Sequence, residues 1–183
     1  MWVFGYASLI WKPECEFIES RPALLRGWHR SLCMKSTLNR GTPEVTGLVF
    51  ALDSGGACRG LALRIAAECA DAELARLWER EMVHDVYTPR WVRVGTTGSK
   101  TGGTTGGATE GAVTALTFTL PRTHPSYVGR LGDAELLRIF RVASGRYGTT
   151  WDYVWQTHEA LAGMGVHDAA LARIVRVGRG AGL

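Results

Sequence analysis

Strand-like and helix-like patterns divide the chain unevenly. Strand patterns fill about the first two thirds, helix patterns the last third, and one helix is inserted between them. Val3 and Phe4 read as the end of a short buried strand. Residues 14–21 are polar and predict a surface loop. Leu25 to Met34 has the mixed alternation of a half-buried strand, and Ser36 to Pro43 is turn-rich. Val45 to Leu52 and Cys58 to Ile65 predict a hairpin around Asp53-Ser54-Gly55-Gly56. Asp71 is the expected cap of a helix running to about Met82. Arg90 to Gly95 predicts a short strand, and Ala112 to Leu120 a strong one by its β-branched and aromatic content. Asp133, Thr150 and Asp168 are expected to cap three further helices. These run to about Ala143, Leu161 and Gly178.

Strands followed by helices argue for an α+β fold rather than a doubly wound sheet. The expectation is a small mixed, mostly antiparallel β-barrel with surrounding helices, formed by residues 1–183 as a single domain. Between the strands at 90–95 and 112–120 lies GTTGSKTGGTTGGATEG. Its composition predicts a flexible Gly/Thr-rich loop over 95–111. It is not a phosphate-binding loop, because Lys100 follows Ser99 and the glycine that motif requires is missing.

Composition narrows the class. The 183 residues are 46% hydrophobic and include 7 Trp, which suits a packed core. No apolar run is long enough to span a bilayer, and the N-terminus lacks the pattern of a signal peptide. The 4 Cys never form C-x-x-C and the 5 His lack ligand spacing, so no metal site is expected. They read as reduced cysteines of a cytoplasmic protein. The net charge of +4 is scattered, which fits small anions better than nucleic acid or a membrane surface.

Two stretches carry candidate chemistry. Gly5 to Leu9 turns sharply after a strand, and its small residues let a ligand approach backbone N–H groups. An ordinary strand exit has the same pattern. The second is Glu81. Leu74, Leu77 and Trp78 form one apolar stripe with Glu81 on it, while Glu73, Arg76, Glu79 and Arg80 fall on the solvated face. A carboxylate facing an apolar interior is costly unless paired or protonated, and desolvation raises its pKa into a range useful for proton transfer. Three readings of Glu81 stand: a catalytic carboxylate, a buried pair with an arginine, or a solvated residue past the helix end.

Taken together, these segments resemble the ChaC-like γ-glutamylcyclotransferases, the glutathione-specific branch of that superfamily. VFGYASLIWKP is similar to the family's VFGYGSLIWKP, and RGTPEVTGLVFAL to its RGTPE segment. LWEREMVHDVYTPRWV is similar to the stretch of bacterial members that holds the catalytic Arg-Glu-Met, here Arg80-Glu81-Met82, and HPSYVG and IFRVASGRYGTTWDYV also match in kind. The resemblance spans nearly the whole chain except the Gly/Thr-rich stretch. It implies cleavage of glutathione into 5-oxoproline and cysteinylglycine with no metal or cofactor. It also implies that Val3, Phe4, Gly5, Tyr6, Ala7, Ser8 and Leu9 form the substrate loop and that Glu81 is catalytic. Ala7 departs from the family's usual glycine. If that position needs a positive φ, alanine is strained there by roughly 1 kcal/mol or more.

In this reading Ser8 is a hydrogen-bond donor rather than a nucleophile, and Ser36, Tyr87, Tyr127 and Tyr153 are pocket candidates. The partner is then a small γ-glutamyl compound. The alternatives are cyclotransfer on other γ-glutamyl amino acids or amines, ligand binding without turnover, and a non-enzymatic module. In that module Trp28, Arg26 and Arg30 would contact nucleic acid or another polyanion.

Overall fold

A computed structural model describes residues 1–82, 86–96, 100–101, 104–105 and 111–183. The chain divides into two compact units, Met1–Arg30 with Ser54–Leu120, and Ser31–Asp53 with Pro121–Leu183.

The first unit is built on a closed ring of strands. β1 (Trp2–Gly5) pairs antiparallel with the far end of β3 (Gly47–Arg64), Trp2 opposite Arg64. On its other side β1 meets β7 (Gly111–Thr119) in parallel, Val3 opposite Leu116. β7 pairs antiparallel with β4 (Thr88–Thr96) along its whole length. β4 pairs with the start of β2 (Glu19–Ser36), Ala23 opposite Thr96, and β2 pairs with β3 to close the ring. This is the α+β barrel expected. A one-turn helix α1 (Ser8–Trp11) follows β1, and α2 (Ala70–Glu81) follows β3 after a 3-10 turn. Val3, Leu9, Cys15, Leu63, Ile65 and Leu77 form one apolar cluster, which fixes α1 and α2 against the β1–β3 pair.

The predicted hairpin is absent. β3 continues through Asp53 to Gly56 as one 18-residue strand. Gly55 and Gly56 take φ of +94° and +71°, and Gly27 in the partner strand takes +82°. Left-handed glycines accommodate a bulge inside a strand as readily as a turn between strands. The expected loop over 95–111 also changes. Gly95 and Thr96 close β4, and Gly111 opens β7. Lys100–Thr101 and Thr104–Thr105 form β5 and β6, paired with each other, and β5 meets β2 at Ser20. The rest of that stretch lies outside the described residues. The surface loop predicted over 14–21 ends early, since β2 opens at Glu19 and Cys15 is buried.

The second unit holds Ser31–Ser36 of β2, Gly47–Asp53 of β3, and three helices, α3 (Asp133–Val142), α4 (Thr150–Gly163) and α5 (Ala169–Gly180). A small ribbon of β8 (Ser144–Gly145) and β9 (Gly148–Thr149) precedes α4. The helix caps correct several expectations. Thr149, not Thr150, caps α4, in a reciprocal box with Asp152. Thr150 turns inward, where its hydroxyl accepts from Leu48 N–H at 3.0 Å and donates to the Arg40 carbonyl at 3.2 Å. Asp133 is the first residue of α3 rather than its cap, and it pairs with Arg173. Asp71 is likewise inside α2 and caps nothing. Asp168 does cap α5, accepting from Leu171 N–H at 3.0 Å. That helix runs past Gly178, whose missing side chain makes room for the Trp151 ring.

Candidate active site

The strand exit at the N-terminus is held by buried partners. Val3 and Phe4 are wholly enclosed, so their side chains serve the barrel core. The Thr117 hydroxyl donates to the Phe4 carbonyl at 3.1 Å. Gly5 ends β1, and a Cβ there would lie 2.9 Å from the Leu9 Cβ, so the close return of the chain onto itself requires glycine. Tyr6 is buried and its hydroxyl donates to the Phe118 carbonyl at 3.2 Å. Arg30 donates from Nε to the Tyr6 carbonyl and from Nη2 to the Arg59 carbonyl, both at 2.5 Å. Leu9 points into the apolar cluster. The exit is therefore a fixed shape whose exposed element is the Ser8 turn of α1, half-buried at Ser8.

In the alternative, non-enzymatic reading Arg30 would lie on a polyanion-binding face. It is 4% exposed and engaged with backbone carbonyls, and the Arg90 guanidinium sits 5.6 Å from the Trp28 ring centroid. Arg30 and Trp28 are thus held in the barrel wall, whereas Arg26 on the same strand is exposed.

α2 presents a different face inward from the one its apolar spacing predicts. Trp78 is 44% exposed, whereas Glu73 is 3% exposed. The inward face carries Glu73, Leu77, Arg80 and Glu81, a rotation of roughly 60° from the predicted stripe at 100° per residue. Glu73 tolerates burial because Arg76 bridges it at 2.9 Å and the Glu16 N–H donates to it at 3.2 Å.

Arg80 is the centre of the arrangement. Its Nη2 donates to the Ser8 hydroxyl at 2.8 Å, and its Nη1 to the carbonyls of Lys12 at 2.6 Å and Pro13 at 3.0 Å. The Glu14 carboxylate lies 3.1 Å from Nη1, and the Glu81 carboxylate 3.1 Å from Nε. One guanidinium thereby joins the strand-exit segment to Glu81. The arginine pairing left open from the sequence is present, and the partner is the adjacent residue.

Glu81 is the last residue of α2, and its side chain is 15% exposed. Withdrawal from water pushes its pKa above the ordinary carboxylate value. The Arg80 charge and hydrogen bond pull it down, Glu14 pushes it up, and the net direction is up. A carboxylate so placed accepts a proton at a higher pH than an exposed glutamate. It can then return that proton to a neighbouring nitrogen.

The pocket candidates are distributed between the units. Tyr87 lies in the first unit, with its ring 6.4 Å from that of Phe118. Ser36, Tyr127 and Tyr153 belong to the second unit and are engaged there. The Ser36 hydroxyl accepts from Arg40 N–H at 3.0 Å. The Tyr153 hydroxyl accepts from Phe50 N–H at 3.3 Å. The Tyr127 hydroxyl donates to Asp53 at 2.9 Å, and Arg122 holds the other oxygen of that carboxylate at 2.6 Å. Sequence reasoning placed Asp53 in a turn, missed this cluster and put Arg80 in solvent. For Arg80 the available signal was its spacing from Leu77, three residues on and therefore on the same face.

Among the described residues no three His, Cys, Asp or Glu side chains gather as metal ligands, and no helix is long and apolar enough to cross a membrane.

A family profile of ChaC-like proteins matches residues 1–179. The chain belongs to the ChaC-like family. It is 34% identical over 171 residues to the glutathione-specific γ-glutamylcyclotransferase of Escherichia coli, covering 93% of this chain and 69% of that one. It is 30% identical over 170 residues to γ-glutamylcyclotransferase 2-3 of Arabidopsis thaliana, covering 92% and 83%. A solved structure of a yeast γ-glutamyl cyclotransferase specific to glutathione superposes with a TM-score of 0.85 at 20% identity, over 98% of this chain and 96% of the other. In this ChaC-like chain Ala7 has φ −144°, so the position needs no left-handed backbone and the strain considered for alanine does not arise. Ala7 is buried, so its methyl group is part of the packed underside of the turn.

Proposed function

We propose that this protein is a cyclotransferase that cleaves glutathione into 5-oxoproline and cysteinylglycine, with Glu81 moving the proton. The observation that carries the reading is the Arg80 bridge. It sets a carboxylate withdrawn from water beside the strand exit at Gly5 to Leu9, in a chain similar to glutathione-specific enzymes.

In the proposed step the α-amine of the γ-glutamyl group attacks its own γ-carbonyl carbon. A five-membered ring closes as that carbon–nitrogen bond forms. The amide bond to the cysteine nitrogen then breaks. Glu81 as carboxylate takes one proton from the α-ammonium, which frees the nucleophile, and returns it to the departing nitrogen. The second proton, shed by the attacking nitrogen as the ring forms, passes to the same nitrogen, which leaves as the ammonium of cysteinylglycine. Proton count and charge balance over the cycle, and no water is consumed. Backbone N–H groups at Tyr6 to Leu9, with the Ser8 hydroxyl, hold the substrate's anionic oxygens. Holding both reacting ends of one molecule in the attacking shape supplies much of the acceleration.

The same reading makes a small γ-glutamyl compound the partner rather than nucleic acid or a membrane. It places the protein in the cytoplasm, supported by four cysteines that are all unbridged.

The test is incubation of the purified protein with reduced glutathione and detection of both products. Glutathione acetylated on its α-amine is the control. Cyclisation cannot use a blocked amine, whereas simple hydrolysis can. Release of glutamate in place of 5-oxoproline would reject the mechanism. A panel of other γ-glutamyl amino acids and amines, assayed in the same way, defines the substrate range.

A further inference from the structure

We infer that Arg80 is the positioning residue of this site, locking the strand-exit segment and the Glu81 carboxylate into one arrangement. The inference rests on the proposed role of Glu81. It adds a residue that touches neither the reacting carbon nor the reacting nitrogen in that scheme.

Geometry separates this role from a general stabilising one. A cation in the last turn of a helix interacts favourably with the helix end, and any cation would do. Arg80 does more. Its three nitrogens point to different places: Nη2 to Ser8, Nη1 to Lys12, Pro13 and Glu14, and Nε to Glu81. Those partners lie 66 to 72 residues away in sequence except for Glu81. Only a planar fork with donors on separated atoms meets them together, and a lysine ammonium is a single point of charge. The side chain is 19% exposed, so the bonds are shielded from competing water. Every partner except Glu81 belongs to the segment that turns out of β1 and leads on toward β2, so a shift of Arg80 shifts the substrate loop relative to the proton carrier.

Charge gives a second, separable readout. Among the described residues the charged groups acting on Glu81 are Arg80 and Glu14, the latter bridged to Lys12 at 3.0 Å. Arg80 opposes the upward push that burial gives Glu81. Removing the cation raises the pH at which Glu81 gives up its proton, so activity on the acidic side is lost at a higher pH than in the wild type.

The experiment compares Arg80→Met, Arg80→Lys and Glu81→Gln across a pH series with glutathione, after melting curves establish that each is folded. Arg80→Met is expected to lower kcat about 10²-fold, the scale of a displaced reacting group, and to move the acidic limb of kcat/KM to higher pH. Arg80→Lys is expected to return the limb toward its wild-type position, because the charge is back, while kcat stays low. A purely structural role would lower activity without moving the limb. A wild-type limb in Arg80→Met, with Glu81→Gln inactive, overturns the assignment of Arg80 alone. So does a wild-type kcat in Arg80→Lys, which decides the matter if Arg80→Met does not fold. An active Glu81→Gln enzyme overturns the Glu81 reading, and the Arg80 role falls with it.

Discussion

Replacing Glu81 by glutamine alters one property of the site and leaves its shape nearly unchanged. The amide has the same length, and its oxygen can still accept from Arg80 Nε, now 3.1 Å from the carboxylate. What disappears is the ability to take and return a proton. A positioned acid–base group contributes about 10² to 10⁴ in rate, which at 1.36 kcal/mol per tenfold is about 3 to 5 kcal/mol of barrier. Stability should move the other way. The folded-state pKa of Glu81 is raised, so the fold prefers the neutral form. The cost of the ionised form is fully present above the folded pKa and vanishes as pH falls through the ordinary carboxylate range. Glu81→Gln is therefore expected to be at least as stable as the wild type at pH 8, with that advantage disappearing on acidification. The assay is release of 5-oxoproline and cysteinylglycine alongside thermal melting at both pH values. Wild-type turnover in a folded variant would refute the argument. Loss of activity with a collapsed melting curve would refute the claim that the charge is a burden on the fold.

Glu14→Gln removes a negative charge that pushes Glu81 upward and competes for Arg80, so the acidic limb of kcat/KM should move to lower pH, opposite in sign to Arg80→Met. Leu77 is 1% exposed in the apolar cluster beneath the site. Leu77→Ala should cost about 2 to 5 kcal/mol in urea unfolding, with the spread set by how far the cavity collapses. Tyr127→Phe deprives the buried Asp53 carboxylate of a donor at 2.9 Å. It should cost about 1 to 3 kcal/mol, with the Arg122 bridge still in place, read by the same unfolding measurement.

The parts of the fold that were legible in the sequence were those set by near neighbours. The 112–120 strand follows from β-branched residues packed along one short run, and Asp168 caps α5 because its acceptor reaches three residues ahead. Misreadings arose where distant partners decide. Gly55 and Gly56 look like a hairpin turn. Left-handed glycine suits a bulge equally, and only the facing strand, with Gly27 in the same conformation, selects between them. Glu73 and Arg80 look like solvent-facing charges because they are charges. Their burial depends on Glu16 N–H, 57 residues away, and on the Lys12 carbonyl, 68 away. The apolar Trp78 drew the predicted stripe toward itself and ended up exposed. At the site, Glu81 stood out from the helix period, whereas the i+3 spacing of Arg80 from Leu77 was outweighed by its charge, because the carbonyls that receive it are distant in sequence.

The route of β2 and β3 constrains how this gene can be cut. The chain passes between the two units after Arg30, after Asp53 and after Leu120, twice inside a continuous strand. Neither unit corresponds to a contiguous stretch of codons. A stop placed after Leu120 would leave residues 31–53 covalently present but stripped of every helix they pack with in their own unit. Fragment expression and deletion mapping, routine for modular proteins, therefore have no clean boundary to use here, and function must be dissected by substitution within the whole chain.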